Sequence, residues 1–495
     1  MTLRFPDTGH FTGLNTPVRM EYDIRELSVE GEIPRDISGA FFRAVPDPVY
    51  PPLHEDDVVL SGDGMISRFL FEDGHVDCAI RYVHTKRFLA ERAARHSLFG
   101  RYRNPFTDDP SVAQTDRTVA NTTPVWHAGR LLMTKEDGRP YEINPHTLET
   151  VGPFDFDGKL RSQTMTAHVR IDPQSQEMFF FGYEAGGLCT RDIAYCIADR
   201  DGVLRSEQWF EGPYCAMTHD FAITERYALF PIFPTVTDLE TLRGGGAHWQ
   251  HRQDLDSWVG VMPRDGDVKE MRWFRGPAGV SAYHVMNAFD VDGKIHLDLC
   301  LSETNAFPFI RTDSKIAREQ WEIGGGFIRW TLDMNAAEDT IQARPLGPPG
   351  DLPRVRDRDQ GRPYASSWYL SIDPKAGPPL PGGPVGAAFN CLLRIEPETG
   401  AIDTLTMPPG MAINEPVHVP AAAGTAGDGW LLATIDERHG DTYRSELWVI
   451  EASAVAAGPI AKVLLPVRLR PQVHGWWVPM KELQASKVGG TGRPG

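Results

Sequence analysis

Four histidines in this chain stand in similar surroundings. Thr166-Ala167-His168-Val169-Arg170-Ile171 reads as a histidine heading a short strand that turns at Asp172-Pro173. Thr218-His219-Asp220-Phe221-Ala222-Ile223 repeats the pattern before a turn at Thr224-Glu225-Arg226. Tyr283-His284-Val285-Met286-Asn287-Ala288-Phe289 repeats it before Asp290-Val291-Asp292-Gly293, and His474 precedes Gly475-Trp476-Trp477-Val478-Pro479. One histidine beside a strand is more often a satisfied core or surface residue than a ligand. The recurrence argues instead for convergence on one metal ion. Neutral imidazoles suit zinc, copper, iron and nickel alike. Structural zinc usually takes cysteine and ligands close in sequence, whereas these histidines are far apart and no cysteine shares their pattern. An all-imidazole set leaves the metal its full charge and calls for carboxylates to orient each Nδ1–H. Six-coordinate geometry would leave two positions open to O2 or substrate, which favours redox-active iron over closed zinc.

The elements that must position these residues read as strands. Met65–Phe71 turns at Glu72-Asp73-Gly74 and returns as Val76–Ile80; Leu131–Glu136 turns at Asp137-Gly138-Arg139-Pro140 and returns as Tyr141–Ile143. Alternating apolar residues bounded by Gly, Pro and Asp mark strands and hairpins. Many short antiparallel strands over this length suggest a barrel, a large sandwich or a propeller. A propeller accounts for the histidines most simply, because its innermost strands run along one axis and their equivalent ends converge. No strict repeat of the WD or kelch type is present, so the blades would be degenerate. One helix is expected within Thr85–Arg103, around Phe88–Arg95.

Length and composition agree with one large all-β unit. The chain has 495 residues, of which 41% are hydrophobic, and a formal net charge of -17, which argues against non-specific nucleic-acid binding. No apolar run is long enough to span a bilayer, and the N-terminus lacks the apolar core of a signal peptide. The six cysteines are scattered, without a CxxC pair, and read as reduced core thiols of a cytoplasmic protein. Residues 1–485 are expected to form a single domain, and the Gly-rich segment 486–495 a disordered tail.

Taken in order, the motifs carry a resemblance over nearly the full length. Gly31-Glu32-Ile33-Pro34-Arg35-Asp36-Ile37-Ser38-Gly39-Ala40-Phe41-Phe42-Arg43, Ser61-Gly62-Asp63-Gly64-Met65-Ile66, the four histidine motifs and Asn414-Glu415-Pro416 resemble the carotenoid cleavage oxygenase family, within it the bacterial stilbene-cleaving (lignostilbene) dioxygenases. The resemblance implies a seven-bladed β-propeller with a cap of loops and short helices, the cap including about residues 85–110. It implies Fe(II) held by His168, His219, His284 and His474, with Glu136, Asp351 and Glu415 orienting them. Many members carry Glu where this chain has Asp351, whose shorter side chain puts its reach in question. A homodimer is implied by the resemblance alone.

The stilbene assignment rests on Tyr102, in Gly100-Arg101-Tyr102-Arg103-Asn104-Pro105, and Lys135, beside Glu136. A phenol near pKa 10 is mostly neutral at pH 7, and an ammonium within hydrogen-bond reach favours the phenolate. A 4-oxido group delocalises onto the alkene and primes it for activated O2. Without the resemblance, Lys135 reads as an exposed strand lysine and Tyr102 as a core aromatic. Phe307 resembles a substrate-stacking aromatic, though propeller cores are rich in Phe. Thr122 is placed by the same resemblance near an open iron position, though a turn threonine is the simpler reading. The resulting expectation is an Fe(II) dioxygenase cleaving the central double bond of 4-hydroxystilbenes to two aromatic aldehydes. Apocarotenoid cleavage and a metal-stabilised binding scaffold are the competing readings.

Overall fold

Asp73 and Gly74 have φ of 52° and 86°, both in the left-handed region that a two-residue hairpin turn with right-handed strand twist demands. Strands Gly64–Glu72 and His75–Tyr82 therefore pair with Glu72 opposite His75 and Phe71 opposite Val76; near the turn Phe69 and Phe71 are buried while Arg68 and Leu70 are less so, and further along both faces are buried. The computed structural model describes residues 4–312, 324–421 and 427–488. The tail expectation, 486–495, lies outside the described residues from 489 onward.

The described chain is mostly β. Its α-helices are Lys86–Ala94, Leu239–Arg243 and Met480–Gln484. It divides into two compact units, one comprising Met1–Asp157, Pro378–Pro384 and Met407–Gly495, the other Gly158–Gly377 and Val385–Thr406. Among the described residues no sheet closes on itself.

Among the described residues the first unit contains three sheets. One runs in the order Tyr22–Ile24, His75–Tyr82, Gly64–Glu72, Gly39–Pro46, Gly475–Pro479. Its last strand comes from the far end of the sequence and pairs Phe42 with Trp476 and Arg43 with Gly475. The ladder continues one residue further, where Ala44 N donates to the His474 carbonyl at 2.9 Å and Val473 N to the Ala44 carbonyl at 3.0 Å. His474 is thus fixed by closure of the chain onto its own N-terminal strand. A second sheet holds Thr123–His127, Arg130–Thr134, Tyr141–Ile143 and Thr150–Pro153. In the third, Met411–Ile413 and Val417–Val419 both pair with the long strand Trp430–His439. Asn414-Glu415-Pro416 is the gap between them. Pro416 has no N–H to give a ladder, and Glu415 turns out of it.

The second unit is built more regularly. Four antiparallel sheets of four strands follow one another along the chain, starting with Arg170–Ile171, Ala222–Ile223, Ser281–Val291 and Asp351–Arg354. A small three-stranded sheet is formed by Thr235–Val236, Gln250–His251 and Arg311–Thr312. Each large sheet opens with the strand that carries or adjoins His168, His219, His284 or Asp351. Successive sheets thereby each supply one residue of the candidate site at or near the start of their first strand.

The expected helix forms over Lys86–Ala94, with Thr85 capping it through Phe88 N at 3.1 Å. It stops at Arg95, which is left-handed with φ of 62°, well before Gly100. The reason is Glu91, whose Oε1 accepts from Leu98 N at 2.8 Å and Phe99 N at 3.1 Å and draws the chain back across the helix. Cys78, Cys196, Cys300 and Cys391 are buried thiols, and burial raises the pKa of each, as inert core cysteines require. No helix among the described residues is long and apolar enough to cross a membrane.

Candidate functional site

The four motif histidines stand just before a strand or at a slip within one. His168 and His219 stand in irregular chain before Arg170–Ile171 and Ala222–Ile223. His284 lies inside Ser281–Val291, where the register slips between Ala282 and Val285 and again between Val285 and Asn287. A bulge re-aims a side chain that a regular strand would send elsewhere. His474 precedes Gly475–Pro479. The ligand nitrogens of His168, His219, His284 and His474 lie within 4.8 Å of one another, an arrangement that could hold a metal ion.

Within the second unit the packing of three of them is explicit. The rings of His168, His219 and His284 pack edge to face at 4.6, 4.9 and 5.1 Å between centroids, and the Nε2 atoms of His168 and His219 are 3.1 Å apart. His284 Nδ1 is 2.8 Å from Asp351 Oδ1, so the shorter aspartate does reach. In the first unit His474 Nδ1 is 2.9 Å from Glu415 Oε1. The other oxygen of Glu415 accepts from Gly475 N at 2.8 Å and from Gln472 Nε2 at 3.1 Å. An ionised carboxylate only accepts, so His284 and His474 donate from Nδ1, and as neutral imidazoles they present Nε2 lone pairs. That tautomer is the one a metal-binding imidazole needs.

The three histidine segments of the second unit are tied together by residues that the motifs contain but whose role the sequence does not reveal. Asp220 Oδ1 accepts from Arg170 NH2 at 2.6 Å and its Oδ2 from Val285 N at 2.8 Å. Arg170 Nε also donates to the Phe221 carbonyl at 2.7 Å, and the Thr166 hydroxyl lies 2.9 Å from His168 N and 3.4 Å from the His219 carbonyl. One ion pair, its side chains 12% and 3% exposed, thus links His168-Val169-Arg170, His219-Asp220 and His284-Val285. Breaking a buried pair from one side typically costs about 3–5 kcal/mol. Arg170→Ala is therefore expected to lower the melting temperature and to cut bound iron at least tenfold, both read on the purified protein by calorimetry and elemental analysis.

Lys135 and Glu136 were expected on a strand. The strand stops at Thr134, and Gly138 N turns back onto the Lys135 carbonyl at 3.3 Å. Consecutive strand residues face opposite ways; leaving the ladder lets both side chains be buried. Lys135 is accordingly not the exposed strand lysine that the sequence alone allows. Its Nζ is 5.1 Å from the centroid of the half-buried Tyr102 ring and donates to the Leu60 carbonyl at 3.2 Å and to Asn121 Oδ1 at 3.4 Å. Burial lowers the Lys135 pKa and raises that of Tyr102. Glu136 pairs with buried Arg103 at 3.4 Å. Thr122 is buried and donates from Oγ1 to Asn121 Oδ1 at 3.1 Å.

Phe307 is buried in the second unit with its ring 4.2 Å from that of Tyr283, which in turn lies 6.2 Å from the His219 ring. Asn305 fixes this corner. It takes the Tyr283 hydroxyl and Phe307 N on Oδ1 and donates from Nδ2 to the Phe307 and Ile310 carbonyls at 2.8 and 3.1 Å. Tyr283 escaped the sequence reading, although its place beside His284 was a usable signal.

Comparison with known proteins bears directly on this arrangement. The family model described as retinal pigment epithelial membrane protein matches residues 15–479. The chain is 41% identical to lignostilbene-alpha,beta-dioxygenase isozyme III of Sphingomonas paucimobilis, over 97% of this chain and 99% of that one. It is 40% identical to isoeugenol monooxygenase of Pseudomonas nitroreducens, over 94% of this chain and 97% of that one. The crystal structure of Pseudomonas brassicacearum lignostilbene dioxygenase superposes with a TM-score of 0.92 at 39% identity, covering 97% of this chain and 100% of that one.

Proposed function

Since the chain belongs to the retinal pigment epithelial membrane protein family, the iron-dependent carotenoid cleavage oxygenases, we propose that it is a dioxygenase cleaving the central carbon–carbon double bond of 4-hydroxystilbenes. One O2 is consumed: the alkene and the O–O bond break, and each carbon leaves as an aromatic aldehyde carrying one oxygen. The observation that carries the substrate class is the buried Lys135 ammonium beside Tyr102, supported by the lignostilbene relatives. We read the seven larger sheets as blades of one propeller spanning residues 1–485, with the segment about 85–110 in its cap.

The four imidazoles fit Fe(II) by their chemistry: all-neutral donors, two of them with Nδ1 held by a carboxylate. His168, His219, His284 and His474 would hold it, with Asp351, Glu415 and Glu136 as the orienting carboxylates, and the ion supplies O2 activation. Everything else falls to the chain. Lys135 donates to the phenol oxygen and stabilises it as phenolate, the proton passing to solvent. Tyr102 donates to the same oxygen. The phenolate charge delocalises to the para alkene and makes it electron-rich. Phe307, backed by Tyr283, packs against an aryl ring, and Thr122 narrows the approach to the metal.

The name isoeugenol monooxygenase favours a second substrate, a 4-hydroxyphenyl propene. The same phenol-binding pair would serve it, and only the far end of the alkene differs. Iron-loaded protein should convert 4-hydroxystilbene to 4-hydroxybenzaldehyde and benzaldehyde in equal amounts and leave 4-methoxystilbene at least a hundredfold slower. Equal turnover of the two would remove the phenol role. Faster turnover of isoeugenol than of any stilbene would move the assignment to the second substrate.

A further inference from the structure

Asn121 completes its hydrogen bonding inside the protein. It is 0% exposed. Its Nδ2 donates to the Leu60 carbonyl at 3.0 Å and to the Gly62 carbonyl at 2.8 Å. Its Oδ1 accepts from Lys135 Nζ at 3.4 Å and Thr122 Oγ1 at 3.1 Å. An amide offers two donors and two acceptor sites, and all are used. The orientation is also fixed, because the flipped amide would point NH2 at an ammonium and its oxygen at two carbonyls.

Lys135 is in a different position. It is 3% exposed, and two of its three N–H groups go to neutral acceptors, the Leu60 carbonyl and Asn121 Oδ1. Among the described residues no carboxylate forms an ion pair with it, while the neighbouring Arg103 cation is matched by Glu136. Charges this deeply buried are normally paired. Here the ammonium is hydrogen-bonded only to dipoles, with one N–H left over. Asp137 and Glu136 act on it only from beyond ion-pairing distance, so an anion arriving at that N–H would be its first hydrogen-bonded counter-ion.

We propose that Asn121 is a positioning and specificity-determining residue, which aims the Lys135 ammonium while, being neutral, reserving its charge for a substrate phenolate. This rests on the reading of Lys135 as the phenol-binding residue. A carboxylate of the same shape at this position would neutralise Lys135 from inside, and the substrate would then bind as neutral phenol. The chemistry recognised is therefore an aryl oxide, and Asn121 separates 4-hydroxy substrates from ethers and unsubstituted rings through Lys135.

The test is the absorption of 4-hydroxystilbene bound to the full-length, Fe(II)-loaded protein under nitrogen, together with steady-state kinetics in air. The native protein should show the red-shifted phenolate band. Asn121→Asp should return the bound ligand to the neutral-phenol band and lower kcat at least tenfold, with KM changed less than threefold. Asn121→Ala, which fills no charge but releases the aim of Lys135, should weaken the band and raise KM as well as lowering kcat. It also serves should Asn121→Asp fail to fold, which melting and iron content would reveal. Retention of the phenolate band and of kcat within twofold in Asn121→Asp, or in Asn121→Ala where only that variant folds, would overturn the inference. Lys135→Met separates the two levels. If it abolishes the band while the Asn121 variants keep it, the phenol reading stands and the role of Asn121 falls. If it leaves both band and kcat intact, the phenol reading itself falls, and the inference with it.

Discussion

Replacing Lys135 by methionine is expected to cost about three orders of magnitude in kcat/KM on 4-hydroxystilbene while leaving the protein as stable as before or slightly more so. The activity loss follows from the phenol's own acidity. Near pKa 10, a phenol at pH 7 lies about three units from ionisation, and each unit is worth 1.36 kcal/mol, so the enzyme must supply about 4 kcal/mol to present a phenolate. A buried ammonium at hydrogen-bond distance is suited to supply it, and Lys135 is the one beside Tyr102. The stability result follows from what Lys135 leaves behind. The Leu60 carbonyl keeps its bond from Asn121 Nδ2 at 3.0 Å, and Asn121 Oδ1 keeps the one from Thr122 Oγ1 at 3.1 Å. No acceptor is orphaned, and a charge held without an ion pair is exchanged for an apolar chain of similar length. A buried charge without an ion pair carries an uncompensated desolvation cost, which the methionine removes. Aldehyde release and thermal melting of the iron-loaded variant measure both. A melting point many degrees below the native one would mean that Lys135 is structural, and an activity loss under tenfold would mean that the phenolate is stabilised elsewhere. A site residue that costs stability and returns activity is the usual sign of function.

The recurrence of a histidine at the head of a strand was readable because it is local: a ring, a few apolar residues, a turn. The hairpin at Asp73-Gly74 was readable for the same reason. What held the histidines in place was not. Asp220 and Arg170 both stood inside the motifs, yet their partnership joins residues 50 positions apart, and it exists only because two sheets pack side by side. The reach of Asp351 was doubtful from side-chain length alone. The backbone settles it: Asp351 opens its strand, with Leu352 left-handed at φ 53° and Leu352 N bonded to the same carboxylate at 2.9 Å, which fixes the carboxylate against His284. Lys135 and Glu136 looked like strand residues because Leu131–Thr134 is one. Where a strand ends decides which way two consecutive side chains point, and strand ends are set by tertiary packing. Asn121 carried no sequence signal. A buried asparagine declares its role only through the four groups around it.

His474→Ala is expected to abolish aldehyde formation and to leave less than a tenth of the native iron, and its effect on folding should be separable from both. Removing the imidazole deprives Glu415 Oε1 of its partner at 2.9 Å. The carboxylate stays buried, its other oxygen still held by Gly475 N and Gln472 Nε2. A buried charge stripped of one partner costs about 3 kcal/mol, less whatever the two remaining donors recover. Pairing the change with Glu415→Gln removes that charge while keeping a group able to accept from Gly475 N. The double variant should therefore regain at least 1 kcal/mol over His474→Ala while remaining without iron or activity. The cycle isolates the His474–Glu415 coupling, since the two residues touch and their effects should not add. Glu415→Gln alone should keep the fold but bind iron 10–100-fold more weakly, the usual consequence of losing the carboxylate behind a metal-binding imidazole. Melting curves on metal-free protein measure the coupling, and iron titration measures the affinity. Native iron binding in Glu415→Gln would show that Gly475–Pro479 and its pairing to Gly39–Pro46 aim His474 unaided.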